Sequence, residues 1–170
     1  PFVETFPVRG GDHRNIHDAT RLGRRKRRAR EQPSRWRELS SRAAAWFAGR
    51  DGTAARIEWV YHLLSADPDA GARCLEELGR HWTGVAHPED NETLAQTVWE
   101  LEASGLVEGV ARVEVLLCAA ETRSARGETA QLGDLARDAE ALARTMYHPS
   151  GLARVCCLLG DVLQSQGKLE

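Results

Sequence analysis

Isoleucine is nearly absent from this 170-residue chain, and aromatics make up only 6% of it. Strands are built from β-branched and aromatic residues, so a sheet protein is not expected. No segment shows a sustained strand alternation. No apolar run approaches the ~18 residues of a spanning helix, so a helical membrane span is not expected either. There is no GxxxxGK[ST] loop, the only Gly-rich stretch being Gly10-Gly11. ATP binding by this segment is therefore not expected. The four cysteines, Cys74, Cys118, Cys156 and Cys157, form no CxxC or Cys/His cluster. They read as free thiols inside apolar helical patterns, which fits a reducing compartment. Adjacent cysteines rarely meet disulfide geometry, so of Cys156 and Cys157 one is expected in the core and one partly exposed.

What is present favours helix. Ala, Leu, Arg and Glu dominate, and 42% hydrophobic content can bury a core. Periodicity at three to four residues marks stripes at Trp36, Leu39, Ala43 and Trp46/Phe47, then at Ile57, Val60, Tyr61 and Leu64. Cys74, Leu75 and Leu78 follow, then Leu94, Val98 and Leu101. Val113, Leu116, Leu117 and Ala120 precede Leu132, Leu135, Ala139 and Leu142. Asp67-Pro68 reads as a cap and first turn, and His87-Pro88 and Pro149 open further helices. About seven helices joined by short turns result, and two-layer packing is the simplest way to bury their stripes. Residues 1–11 read as an extended arm or linker, and 12–31 lack a clear apolar stripe. The expected organisation is a basic arm or linker, in part helical, over 1–31, a helical adaptor over 32–105, and repeats over 106–170.

Net charge is −2, but residues 1–50 hold 13 Lys/Arg against 5 Asp/Glu, and residues 51–170 hold 10 against 20. Arg21, the run Arg24-Arg25-Lys26-Arg27-Arg28 and Arg30 concentrate the positive charge. Such a run calls for phosphates or an acidic surface. Nucleic acid, the chain's own acidic remainder or another subunit's, and plain solvation remain open. No aromatic is interleaved within it.

Other polar groups are weaker candidates. Asp12, His13 and His17 lack a third firm metal ligand. His62 follows Tyr61 in an apolar stretch without a nucleophile or orienting group beside it. His81, His87 and His148 sit at helix ends, where a structural role is usual. The scattered Glu76/Glu77, Glu89/Asp90/Glu92 and Glu100/Glu102 read as solvated faces.

A 40-residue offset relates Leu116 to Cys156, Ala119 to Leu159, Ala120 to Gly160, Arg123 to Leu163 and Gly127 to Gly167. A helix that ends on Gly fits a left-handed cap. The segment from Cys156 to Glu170 resembles the first helix of a tetratricopeptide repeat. Gly160 matches the small close-contact position, Leu159 the apolar residue before it, Leu163 the usual aromatic and Gly167 the turn. Cys156 departs from the usual Trp or Leu, and the period exceeds the usual ~34. The pattern stops at Gly167-Lys168-Leu169-Glu170, so a piece of a longer protein is expected. Residues 34–82, with Trp36, Leu39, Ala43, Ala44, Trp46, Phe47, Tyr61, His62 and Leu63, resemble the segment after the winged-helix region in large bacterial signal-transduction ATPases with tetratricopeptide sensor arms (the STAND class).

The resemblance implies an all-α fold of antiparallel helix pairs stacked as a tetratricopeptide-like α-solenoid. It implies a non-catalytic, cytoplasmic interaction or ligand-sensing scaffold that regulates an ATPase, without a cofactor or metal. Glu114, Arg123, Arg154, Asp161 and Gln164, beside the apolar stripe, are the expected interaction surface. The alternative is a nucleic-acid-binding module using residues 21–30.

Overall fold

The computed structural model describes residues 3–5, 14–16, 18–85, 88–128 and 132–165, with side chains over 22–82, 88–128 and 132–164. Eight helices occur among them: α1 (Asp18–Glu31), α2 (Pro33–Ala48), α3 (Thr53–Ala66), α4 (Pro68–Val85), α5 (Pro88–Ala103), α6 (Gly109–Ala125), α7 (Leu132–Thr145) and α8 (Pro149–Ser165). The count of about seven leaves out α1, which falls in the 1–31 stretch expected to be helical only in part. Its inward positions are Leu22, Arg25, Lys26 and Ala29, all half-buried. They keep the i, i+3, i+4, i+7 spacing of a helical face. Two of the four are cations whose aliphatic stems lie inward, so no apolar stripe marks the helix. A second departure is a short antiparallel hairpin, β1 (Val3–Thr5) on β2 (Arg14–Ile16), with Val3 opposite Ile16. Three-residue strands are too short to show an alternation.

Helix boundaries follow Pro and Gly. Proline begins α2, α4, α5 and α8, where a missing N–H costs nothing. Asp67 accepts the Ala70 N–H at 3.0 Å, so the expected cap on α4 is present. At the other ends, Gly105 and Gly127 have φ of +63° and +71°. Leu106 N–H reaches Leu101 O and Glu128 N–H reaches Arg123 O, which closes a Schellman motif in each case. The end of α7 has the same bonds, with His148 N–H on Ala143 O. There the left-handed position is held by Tyr147, at φ +51°.

Consecutive helices pack on one another, and α4, α6 and α8 also meet in turn, as do α3 and α5. This is a repeat-like helical stack. One core gathers Ile57, Val60, Tyr61, Leu64, Leu75, Leu94, Val98 and Leu101. A second gathers Leu132, Leu135, Ala139, Val155, Leu158 and Val162. The shared wall is α6. Its Ala111, Val115 and Cys118 enter the first core, and Val113, Leu116, Leu117 and Ala120 enter the second. Both sets keep helical spacing, so apolar residues on both sides of α6 are explained by burial on two sides.

The 40-residue equivalence does not extend to burial. Leu116 is buried, whereas Cys156 is exposed; Ala120 is buried, whereas Gly160 is half-buried. Among the described helices, α8 packs chiefly on α6 and α7. Its buried positions are Val155, Leu158 and Val162. Cys156 and Cys157 therefore both face outward, which corrects the expectation that one lies in the core. A Cβ on Gly160 would meet nothing within 4 Å, so no close helix approach occurs there. The close approach lies at Gly71, where a Cβ would stand 2.6 Å from the Leu64 backbone.

Candidate interaction site

A cleft of about 270 Å³ opens between α5 and α6. Ala95, Trp99 and Ala119 form its apolar floor, and Gln96, Thr122, Arg123 and Arg126 stand on its walls. The side chains come from successive turns. Glu92, Gln96 and Trp99 share one face of α5, and Ala119, Thr122, Arg123 and Arg126 share one face of α6. Arg126 closes one end by pairing with Glu92, and with Glu128 at 2.8 Å. Thr122 spends its hydroxyl proton on Cys118 O, at 2.8 Å. The result is an apolar slot with a charged rim, suited to an apolar side chain or ring carrying a polar end.

Of the residues expected at an interaction surface, Arg123 alone lines this cleft. Glu114 is not on the surface; it is 1% exposed. Nine residues separate it from Arg123, which puts the two on opposite sides of α6. There Glu114 joins a buried ionic cluster. Arg154 Nη1 donates to its Oε2 at 2.6 Å. His148 Nε2 lies 2.8 Å from its Oε1, which fits the tautomer protonated at that nitrogen. Arg154 also grips Glu121 with two bonds, Nε at 2.7 Å and Nη2 at 2.8 Å. Burial works against the Arg154 charge, but the bonds and charge of Glu121, then of Glu114, outweigh it and hold its pKa above the ordinary value. Two carboxylates, a guanidinium and an imidazole thus tie α6 to α8 and to the turn before it. A charge set inside Val113-Glu114-Val115-Leu116 was the signal that this residue needed buried partners. Asp161 and Gln164 are exposed on α8.

The basic segment divides. Arg25 turns inward, donating to Tyr61 Oη at 2.9 Å and Glu100 Oε2 at 3.3 Å, with its guanidinium over the Tyr61 ring. It is a fastening between α1, α3 and α5 and not a surface contact. Lys26 is half-buried, and Arg24, Arg27, Arg28 and Arg30 are exposed. The side chain of Arg21 lies outside the described residues, as do Asp12, His13, His17 and His87.

Among the other candidates, His62 stacks on Phe47 with centroids 5.9 Å apart. Burial, and then the charge of Arg25, lower its pKa to about 4, so the ring is neutral near pH 7. Its Nδ1 is buried with no hydrogen-bond partner. Burial, and then Glu121, push the Cys118 thiol up to about 12, which suppresses the thiolate. Among the described residues no group of three His, Cys, Asp or Glu is placed to hold a metal ion, and no helix is long and apolar enough to cross a membrane. The sequence reads Glu92 as part of a solvated face and singles out none of Gln96, Trp99 and Arg126. Trp99 breaks no helical rule, and only the packing of α5 on α6 exposes one side of it.

No family model matches this chain, and no curated protein and no solved structure does.

Proposed function

We propose that the chain is a non-catalytic interaction or ligand-sensing scaffold of tetratricopeptide type, the regulatory arm of a larger signalling ATPase. The cleft between α5 and α6 carries this reading. It presents Trp99 and two alanines below Arg123, Gln96 and Thr122, a combination that takes an apolar anchor and orients its polar end. The stacking of α4, α6 and α8 supports it further, because such stacks present continuous surfaces to partners. Recognition is centred on Arg123, with Glu114 and Arg154 holding the wall behind it.

Photo-crosslinking in cells tests this. A benzophenone amino acid at Gln96, on the cleft rim, is expected to give a discrete adduct. The same group at Asp134, exposed on α7, is expected to give none. Thr122→Tyr, which fills the cleft from its wall, is expected to abolish the Gln96 adduct. Equal labelling from both positions, or an adduct indifferent to Thr122→Tyr, would overturn the reading.

A further inference from the structure

The outward face of α1 is formed by Arg24, Arg27, Arg28 and Glu31, all exposed at i, i+3, i+4 and i+7. Arg24 and Arg28 have no ion-pair partner among residues whose side chains are described. Arg27 holds Glu31 at 2.8 Å in a largely exposed pair, an interaction weak enough to yield to a phosphate. Only Gln32 separates α1 from α2. Both helices turn their half-buried sides toward α3, Arg25 reaching Tyr61 from α1 and Ala44 lying buried on α2. The exposed face of α2 follows along the chain and carries Arg35, held by Glu38 at 2.6 Å, with Arg42 and Trp46 at i+7 and i+11. Trp46 is 55% exposed, a large unburied ring. The Arg50 guanidinium covers one of its faces at 3.4 Å, and Phe47 meets it edge-on.

Charge and ring together select a partner. An acidic face of a second copy fits poorly, because it offers carboxylates to the arginines but nothing to the exposed Trp46 ring. A lipid surface fits poorly too, since Trp46 is the only large exposed apolar side chain among the described residues of α1 and α2. Guanidinium groups in a row recognise phosphodiesters, and an aromatic face beside them accepts a base of any sequence. We propose that the outer faces of α1 and α2 bind single-stranded nucleic acid, with phosphates on Arg24, Arg27, Arg28 and Arg42 and a base stacked on the exposed side of Trp46. This surface is separate from the α5–α6 cleft, so the proposal stands or falls independently of the scaffold reading.

Fluorescence anisotropy of a labelled 20-mer oligo(dT) with the full chain tests it. Four phosphate contacts predict a slope of log affinity against log salt of about −3, and the triple variant Arg24→Gln/Arg27→Gln/Arg28→Gln lowers it to about −1. Trp46→Ala weakens binding about tenfold, and Trp46→Phe stays within about twofold of the parent. Arg137→Gln/Arg144→Gln on α7 leaves binding unchanged. Circular dichroism verifies that each variant keeps its helix content. The proposal is overturned by absent binding at 50 mM salt, by a triple variant that binds like the parent, or by a Trp46→Ala chain that does so. Capture by phosphatidylserine vesicles without oligo(dT) binding would overturn it in favour of a membrane.

Discussion

Single residues in this fold carry costs that can be read from their surroundings. Tyr147 is 91% exposed and sits at φ +51° at the end of α7. A left-handed L-residue costs roughly 1–2 kcal/mol, and the exposed ring recovers little of it. Gly105 and Gly127 fill the same place after α5 and α6. Tyr147→Gly is thus expected to stabilise the chain by about 1 kcal/mol, seen as a higher urea midpoint with an unchanged slope. His62 carries a different cost. It is faced by Phe47 from α2, Arg25 from α1 and Glu58 on its own helix at 3.7 Å. Folded His62 stays neutral until pH falls to about 4, whereas the unfolded imidazole takes its proton near 6.5. Between these values the unfolded state binds more protons, so stability falls as pH falls through the window, by on the order of 2–3 kcal/mol. Urea midpoints at pH 7 and 4.5 should show that loss in the parent and a much smaller one in His62→Gln; equal losses would exclude His62 as the source. The sequence alone offered no reading of Tyr147 and placed His62 only in an apolar stretch, because neither φ nor burial is a property of a residue type. Glu114 was expected on an interaction surface; its apolar neighbours point to burial instead, and its partners His148 and Arg154 stand 34 and 40 positions away.

At the scale of elements, boundaries were legible wherever a covalent feature sets them. Pro33, Pro68, Pro88 and Pro149 lack an N–H, and Gly105 and Gly127 admit a positive φ. The starts and ends of α2 to α8 lie within a few residues of where these signals put them. What was not legible is which helix comes close to which. Gly160 matched a close-contact position by resemblance, but a Cβ there meets open space, while Gly71 lies against Leu64. The two positions therefore predict opposite outcomes for one substitution. Gly71→Ala drives a methyl into the α3 backbone and should cost about 2–3 kcal/mol, because backbone cannot rotate out of the way. Gly160→Ala replaces a mid-helix glycine at no steric cost and should gain up to about 1 kcal/mol. Thermal melts of the two variants beside the parent decide it; a loss at Gly160 would mean that a close neighbour occupies that face. The hairpin, and the bounds of α1 within a stretch expected to be helical only in part, escaped for a different reason. Arg25 and Lys26 take positions that a hydrophobic pattern reserves for apolar residues, and the strands are shorter than any alternation.

Across the whole molecule, α6 decides whether the stack behaves as one body. A chain of hairpins that touched only their neighbours would lose stability locally when one unit is weakened. Here one helix puts opposite faces into two cores, with Ala111, Val115 and Cys118 on one side and Val113, Leu117 and Ala120 on the other. The Glu114, Glu121, Arg154 and His148 cluster fastens the same helix to α8 and its preceding turn. Leu117 is fully buried and belongs to the second core alone. Leu117→Ala should cost about 3 kcal/mol from lost transfer energy and the cavity left behind. Because α6 cannot loosen on one side and stay packed on the other, the loss should be felt beyond the second core. Amide exchange is expected to accelerate in α3 to α5 as well as in α7 and α8, by a similar factor in each. Acceleration confined to α7 and α8 would show instead that the first core folds without the second, and that the cleft between α5 and α6 is held by the first core alone.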